Sequence, residues 1–125
     1  MAPKRVLVID DEEDMREVVQ VSLEIMAGLE VIVAGSSREG LVKAEATQPD
    51  AILLDWMMPE MDGPAVCRQL QVNPKTQNIP IILLTAKTLS SEQDNLTQLG
   101  VKAAIAKPFK PAKLAAQLLS ALGWS

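Results

Sequence analysis

Short apolar runs of strand character alternate with helix-like segments along the whole chain, an order that suits a parallel sheet with helices on both faces. The runs are residues 6–9, 31–34, 51–54, 81–84 and 103–106. Those at 51–54, 81–84 and 103–106 are apolar at nearly every position, as strands covered from both sides must be. Between the runs the apolar period lengthens to that of a helix. Residues 12–27 carry Met15, Val19, Leu23 and Met26 at helical spacing, and Gly28 stops that helix. Ser36 and Glu39 have the spacing of a capping box and open a second helix, which presents Leu41 and Ala44 before Gln48-Pro49 closes it. Pro64 suits the first turn of a third helix after a loop over 56–63. Ser90 or Ser91 caps a fourth that ends at Gly100, and residues 111–122 make the last. Five strands and five helices define an α/β fold class.

A length of 125 residues suits one domain with one core and is short for two, so residues 1–125 read as a single domain. No apolar run approaches the roughly 18 residues of a membrane span, and the amino end lacks the pattern of a secretory signal. The expectation is a soluble, cytoplasmic protein with no membrane insertion. A net charge of −4 supplies no phosphate-neutralising field, and only Trp56, Phe109 and Trp124 offer rings to stack on bases, so direct nucleic-acid binding is not expected. The chain has no histidine, which removes serine–histidine hydrolysis and histidine-ligated zinc. It also leaves Cys67, set with Val66 and Leu70 on a buried helical stripe, without a base to activate its thiol.

The charged residues at the strand ends carry the chemistry. Asp10 and Asp11 follow the first run, Asp55 follows the third and Lys107 follows the fifth. In an open parallel sheet these carboxyl ends line one crevice. Each residue alone has a plainer explanation: Asp10 and Asp11 can cap free amides at a helix start, Asp55 can open a turn, and Lys107 can be a solvated loop charge. Together they call for a counter-ion, because two like charges about 4 Å apart repel by roughly 4 kcal/mol at an effective dielectric near 20. Mg²⁺ takes oxygen ligands from a few carboxylates, waters and phosphate oxygens. A carboxylate is a recognised phosphoryl acceptor, and a lysine beside it suits phosphoryl transfer. Thr85, at the end of the fourth run, adds a hydroxyl able to donate to a phosphoryl oxygen.

These residues resemble the receiver domains of two-component response regulators, including the single-domain chemotaxis type. The resemblance covers essentially the whole chain: Val8-Ile9-Asp10-Asp11-Glu12, then Leu54-Asp55-Trp56-Met57-Met58-Pro59-Glu60-Met61-Asp62-Gly63, then Leu84-Thr85-Ala86, then Lys107-Pro108-Phe109. It implies a doubly wound, flavodoxin-like sheet with strand order 2-1-3-4-5. It implies that Asp55 accepts phosphate from a histidine kinase or phosphotransfer protein, and that Asp10, Asp11, Asp55 and the Met57 backbone carbonyl hold Mg²⁺. Thr85 and Lys107 are then expected at the phosphoryl group, with a cis Lys107-Pro108 bond. The chain lacks a histidine to act as its own donor, so a separate one is needed. The function implied is a phosphorylation switch that alters binding to a downstream target protein, not an enzyme acting on outside substrates. An aspartate-nucleophile phosphatase needs a general acid two residues past the nucleophile, and that place is Met57.

Three departures shape the expected output. Receivers usually carry an aromatic residue or histidine three residues before the lysine, where this chain has Ala104, so signalling through a rotating ring is not expected and readout falls to residues 86–99. Met57 and Lys87 flank the expected path of hydrolytic water, and Met57 cannot orient it, which favours a long-lived phosphorylated state. The final helix carries Leu114, Leu118 and Leu122 on one stripe, widened by Ala112, Ala115, Ala116, Leu119 and Ala121. Small alanines tolerated at the surface explain that breadth, as does a partner or homodimer interface. Trp124 either joins that contact or covers the helix end, and Trp56 is expected to be a solvent-exposed ring beside the site.

Overall fold

The computed structural model describes residues 3–85, 100–107 and 109–124. In chain order its elements are β1 (Arg5–Ile9), α1 (Glu13–Ala27), β2 (Glu30–Ala34), α2 (Ser37–Thr47), β3 (Ala51–Asp55), α3 (Gly63–Val72), β4 (Ile81–Thr85), β5 (Ala103–Ala106) and α4 (Pro111–Leu122). All strands are parallel and lie in the order β2-β1-β3-β4-β5. The sheet is therefore the doubly wound, flavodoxin-like one expected from the sequence. Four helices are seen among the described residues. The expected helix beginning at Ser90 or Ser91, the positions of Ala86 and Lys87, and the Lys107-Pro108 bond lie outside the described residues.

Two cores follow from the two-residue period of the strands. Val6 and Val8 of β1, Leu53 of β3, and Ile82 and Leu84 of β4 face one side, where Val19 and Leu23 of α1 pack with Leu114, Leu118 and Leu122 of α4. Leu7, Ile9, Ile52, Leu54 and Leu83 face the other, under Ala44 of α2 and Val66, Cys67 and Leu70 of α3. Every residue of β3 and β4 is buried, which is why those runs read as continuously apolar.

The helix ends follow local chemistry. Gly28 adopts φ 65° and donates to the Glu24 carbonyl, while Leu29 donates to Leu23 and buries its side chain, a left-handed stop closed by an apolar contact. Ser36 Oγ accepts the Glu39 N–H at 3.1 Å, and Glu39 Oε1 accepts from Gly35 at 2.7 Å, one residue earlier than the expected reciprocal partner. Asp62 Oδ1 caps α3 by accepting from Ala65 at 3.0 Å. Cys67 is fully buried and its thiol is pushed up to about 12 by that burial. It is a packing residue, as its stripe suggested.

The buried stripe of α1 departs from expectation at Met26, which is 56% exposed. The helix has more apolar side chains than its neighbour can cover, and Ser22 takes the place at the interface by donating its hydroxyl to the Pro111 carbonyl. On α4, Leu114, Ala115, Leu118 and Leu122 are buried whereas Ala112 and Ala116 are exposed. Trp124 packs on the first core under the Lys4 ammonium, 5.4 Å from the ring centroid.

Gly40 tests the tightness of the second core. A Cβ there would lie 2.5 Å from Ile9 Cδ1 and 2.8 Å from Cγ1, and Ile9 is fully buried with no room to yield. Alanine in a helix gains up to about 1 kcal/mol over glycine, but overpacking a core costs about 1–3 kcal/mol. Gly40→Ala is therefore expected to lower the urea midpoint by roughly 1 kcal/mol of stability, without changing the denaturant slope.

Candidate acceptor site with its acidic cation pocket

β1 and β3 are neighbours, so Asp10, just past the end of β1, and Asp55, the last residue of β3, emerge side by side. Asp11 follows in the turn into α1. Ligand oxygens of Asp10, Asp11 and Asp55 all lie within 4.8 Å of one another; Asp10 and Asp55 are buried and Asp11 is exposed. Lys107, just past the end of β5, sends Nζ to within 3.0 Å of Asp55 Oδ1 and 3.7 Å of Asp10 Oδ2. Two of the three clustered carboxylates thus face one ammonium.

The backbone fixes this arrangement. Lys107 N–H donates to the Thr85 carbonyl at 2.7 Å, Trp56 N–H to Leu84 at 2.8 Å, and Asp10 N–H to Ala34 at 3.1 Å, so the sheet's hydrogen bonding continues to the site residues. Thr85 ends β4 at the same edge and is buried. Met57 N–H points at Asp55 Oδ1 from 3.4 Å, which places the Met57 backbone beside Asp55 while its side chain is exposed. All six residues singled out in the sequence therefore meet at one edge of the sheet.

Asp10 does two things at once. Its Oδ1 accepts the Glu12 N–H at 3.0 Å and so caps the start of α1, while its Oδ2 is buried without a hydrogen-bond partner among the described residues. Burial, reinforced by the charge of Asp55, raises its carboxyl above the usual carboxylate range against the opposing pull of the Glu12 N–H and Lys107. Burial pushes the Lys107 ammonium down, but the hydrogen bond it donates to Asp55 and the charges of Asp55 and Asp10 outweigh it, so its value rises and it stays protonated. A pocket with three crowded carboxylates and a buried oxygen that lacks a hydrogen bond among the described residues fits a hard divalent cation such as Mg²⁺, which draws on oxygen ligands of this kind.

Trp56 departs from expectation. It is half-buried, with its ring against the second core, because the loop folds back and Gly63 N–H donates to the Trp56 carbonyl at 2.8 Å. Three supporting residues were not singled out from the sequence. Gly63 lies so close that a Cβ would stand 2.9 Å from Trp56 Cα and 3.2 Å from the Asp55 carbonyl oxygen. Ser37 donates to the Met61 carbonyl and anchors the same loop. Arg16 Nη1 donates to the Asp10 carbonyl at 2.9 Å; its only trace in the sequence is a cation near a helix start, where the dipole disfavours one.

The fold and cleft define a class, an open α/β domain with an acidic and lysine-bearing pocket at its strand ends. Residues 6–119 match the response regulator receiver domain, and the chain belongs to that family. It is 41% identical over 125 residues to the phosphate regulon transcriptional regulatory protein PhoB of Pseudomonas aeruginosa, a match covering 98% of this chain and 53% of PhoB. It superposes on the chemotaxis response regulator CheY4 of Vibrio cholerae with a TM-score of 0.89 at 30% identity, covering 96% of this chain and 99% of CheY4. The receiver domain of the sensor histidine kinase PA1611 of Pseudomonas aeruginosa, which has a magnesium ion coordinated in its active-site cleft, matches at a TM-score of 0.83 and 30% identity, covering 98% of this chain and 99% of that domain. The chain spans about half the length of the curated relatives it matches.

The raised Asp10 carboxyl has a stability consequence with a definite sign. The folded state holds that proton more tightly than the unfolded chain does, so stability falls as pH rises through the carboxylate range and stays lower at neutral pH. Asp10→Asn removes the penalty, and without Mg²⁺ at pH 7 it is expected to raise the melting temperature. Thermal melts of the two proteins check this, and a lower melting temperature for Asp10→Asn contradicts it.

Proposed function

We propose that residues 1–125 form one receiver unit in which Asp55 accepts a phosphoryl group and that this changes the chain's contacts with another protein. The observation that carries the reading is the Asp10, Asp11 and Asp55 cluster, with one buried oxygen lacking a hydrogen bond among the described residues and Lys107 3.0 Å from the acceptor. The proposed donor is a phosphohistidine on a kinase or phosphotransfer protein, since this sequence contains no histidine. An Asp55 carboxylate oxygen forms the new O–P bond as the donor's N–P bond breaks, the electron pair leaving with the ring nitrogen. Lys107 keeps its proton and presents a fixed positive charge to a phosphoryl oxygen, and Thr85 offers a hydroxyl to another.

Asp10, Asp11, Asp55 and the Met57 carbonyl would hold Mg²⁺, which when bound neutralises charge on the phosphoryl oxygens. The domain's chemistry is then confined to its own phosphorylation and dephosphorylation. Exposed Met57 has no group to orient a water at the phosphorylated aspartate, which favours a long-lived product. Ala104 is half-buried against the second core and offers only a methyl group there, so output does not pass through a turning ring at that position. The exposed Ala112 and Ala116 of α4 are the candidate homodimer face. No helix among the described residues is long and apolar enough to cross a membrane, and we place the chain in the cytoplasm, without direct contact to nucleic acid.

The test is incubation with Mg²⁺ and acetyl phosphate, followed by the mass of the intact chain. One added phosphoryl group is expected, labile to hydroxylamine, absent in Asp55→Asn and formed about 10²-fold more slowly in Lys107→Ala. Continuous turnover of phosphomonoesters would point instead to a phosphatase, and no added mass to a binding module that never takes phosphate.

A further inference from the structure

The free oxygen of Asp10 points where its backbone sends it, and three contacts hold that backbone and the carboxylate. Asp10 N–H donates to Ala34, Oδ1 accepts from Glu12, and the carbonyl oxygen accepts from Arg16 Nη1 at 2.9 Å. The Arg16 contact is the unusual one. The first turn of α1 is otherwise acidic, with Glu13 and Asp14, and a cation so near a helix start opposes the dipole. Its guanidinium is pressed over Gly35, where a Cβ would stand 3.1 Å from Nη1 and 3.3 Å from Cζ. Gly35 N–H is held in turn by Glu39 Oε1 at 2.7 Å, and Glu39 by Lys43 at 2.9 Å. The arginine is thus wedged between the segments that follow β1 and β2.

Resting on the acceptor reading above, we propose that Arg16 is a positioning residue: by holding the Asp10 carbonyl it keeps the buried Asp10 Oδ2, which has no hydrogen bond among the described residues, directed into the acidic cleft for a divalent cation. Arg16 touches no reacting atom. Its removal sets two effects of opposite sign against each other. Losing a positive charge near the cleft would by Coulomb attraction alone tighten binding of a divalent cation. Releasing the Asp10 backbone would weaken it, since partners that orient metal ligands are typically worth 10- to 100-fold in affinity. The sign of the change therefore separates positioning from charge.

The experiment is calorimetric titration of the full chain with Mg²⁺, with thermal melts in its absence, for wild type, Arg16→Ala, Arg16→Lys and a control, Leu122→Ala, that loosens the opposite core. Arg16→Ala is expected to bind Mg²⁺ about tenfold more weakly, and Arg16→Lys, which keeps one donor, to recover part of the loss. Unchanged or tighter binding in Arg16→Ala overturns the inference. So does an equal loss in Leu122→Ala at matched loss of melting temperature, which would make the effect one of general stability. A wild-type chain that takes up no Mg²⁺ removes the acceptor reading itself, an outcome distinct from wild-type binding that Arg16→Ala leaves unaltered.

Discussion

The structure turns on negative charge concentrated at one point of the sheet. Parallel pairing sends every strand's carboxyl end to the same edge, and in the order β2-β1-β3-β4-β5 the chain's direction of progress reverses between β1 and β3. The crevice opens there, between the two strands that end in Asp10 and Asp55. Among the described residues the ammonium that answers them, Lys107, comes from the end of β5, with β4 between, so the lysine must span roughly two strand spacings, on the order of 10 Å with its backbone offset. A long flexible stem ending in a point charge meets that need.

Much of the fold was legible because each local signal agreed with the global arrangement. Both faces of β3 and β4 are covered, which leaves no polar position in those runs, and the change of period between strand and helix marked nearly every boundary within a residue. The stops were explicit at Gly28 and at the Ser36 cap. What misled was surplus. α1 has apolar residues on more than one face, so spacing alone could not tell that Ser22 would be buried and Met26 exposed. Trp56 was misjudged because its burial depends on how its loop folds back, a contact set by Gly63 and Ser37 rather than by neighbours in sequence.

The site was legible for a different reason. Charged residues at the ends of buried strands stand out against their surroundings, and Asp10, Asp11, Asp55 and Lys107 all reach the cleft. Their supports did not stand out. Arg16 and Gly63 act through backbone carbonyls, and a contact to a carbonyl leaves no trace in side-chain chemistry along the chain. Asp10 shows why weighing a plain role against a chemical one was the wrong contest. One oxygen caps α1 and the other is left free in the cleft, so both descriptions hold, one for each atom.

That division also explains why the fold tolerates an unpaired buried oxygen. Natural domains are stable by only about 5–15 kcal/mol, so a penalty of even 1 kcal/mol is a noticeable fraction. The penalty falls on one Asp10 oxygen that has no hydrogen bond among the described residues, while the same residue's other oxygen and both backbone groups are satisfied. The surrounding strands are buried between two apolar clusters, so the edge can hold the carboxylates close together against their repulsion instead of splaying. A softer scaffold would relieve the strain by letting them part, and in doing so would lose the attraction for any positive group brought into the cleft. The rigidity of the two cores is thus what converts repulsion among acids into affinity for a cation.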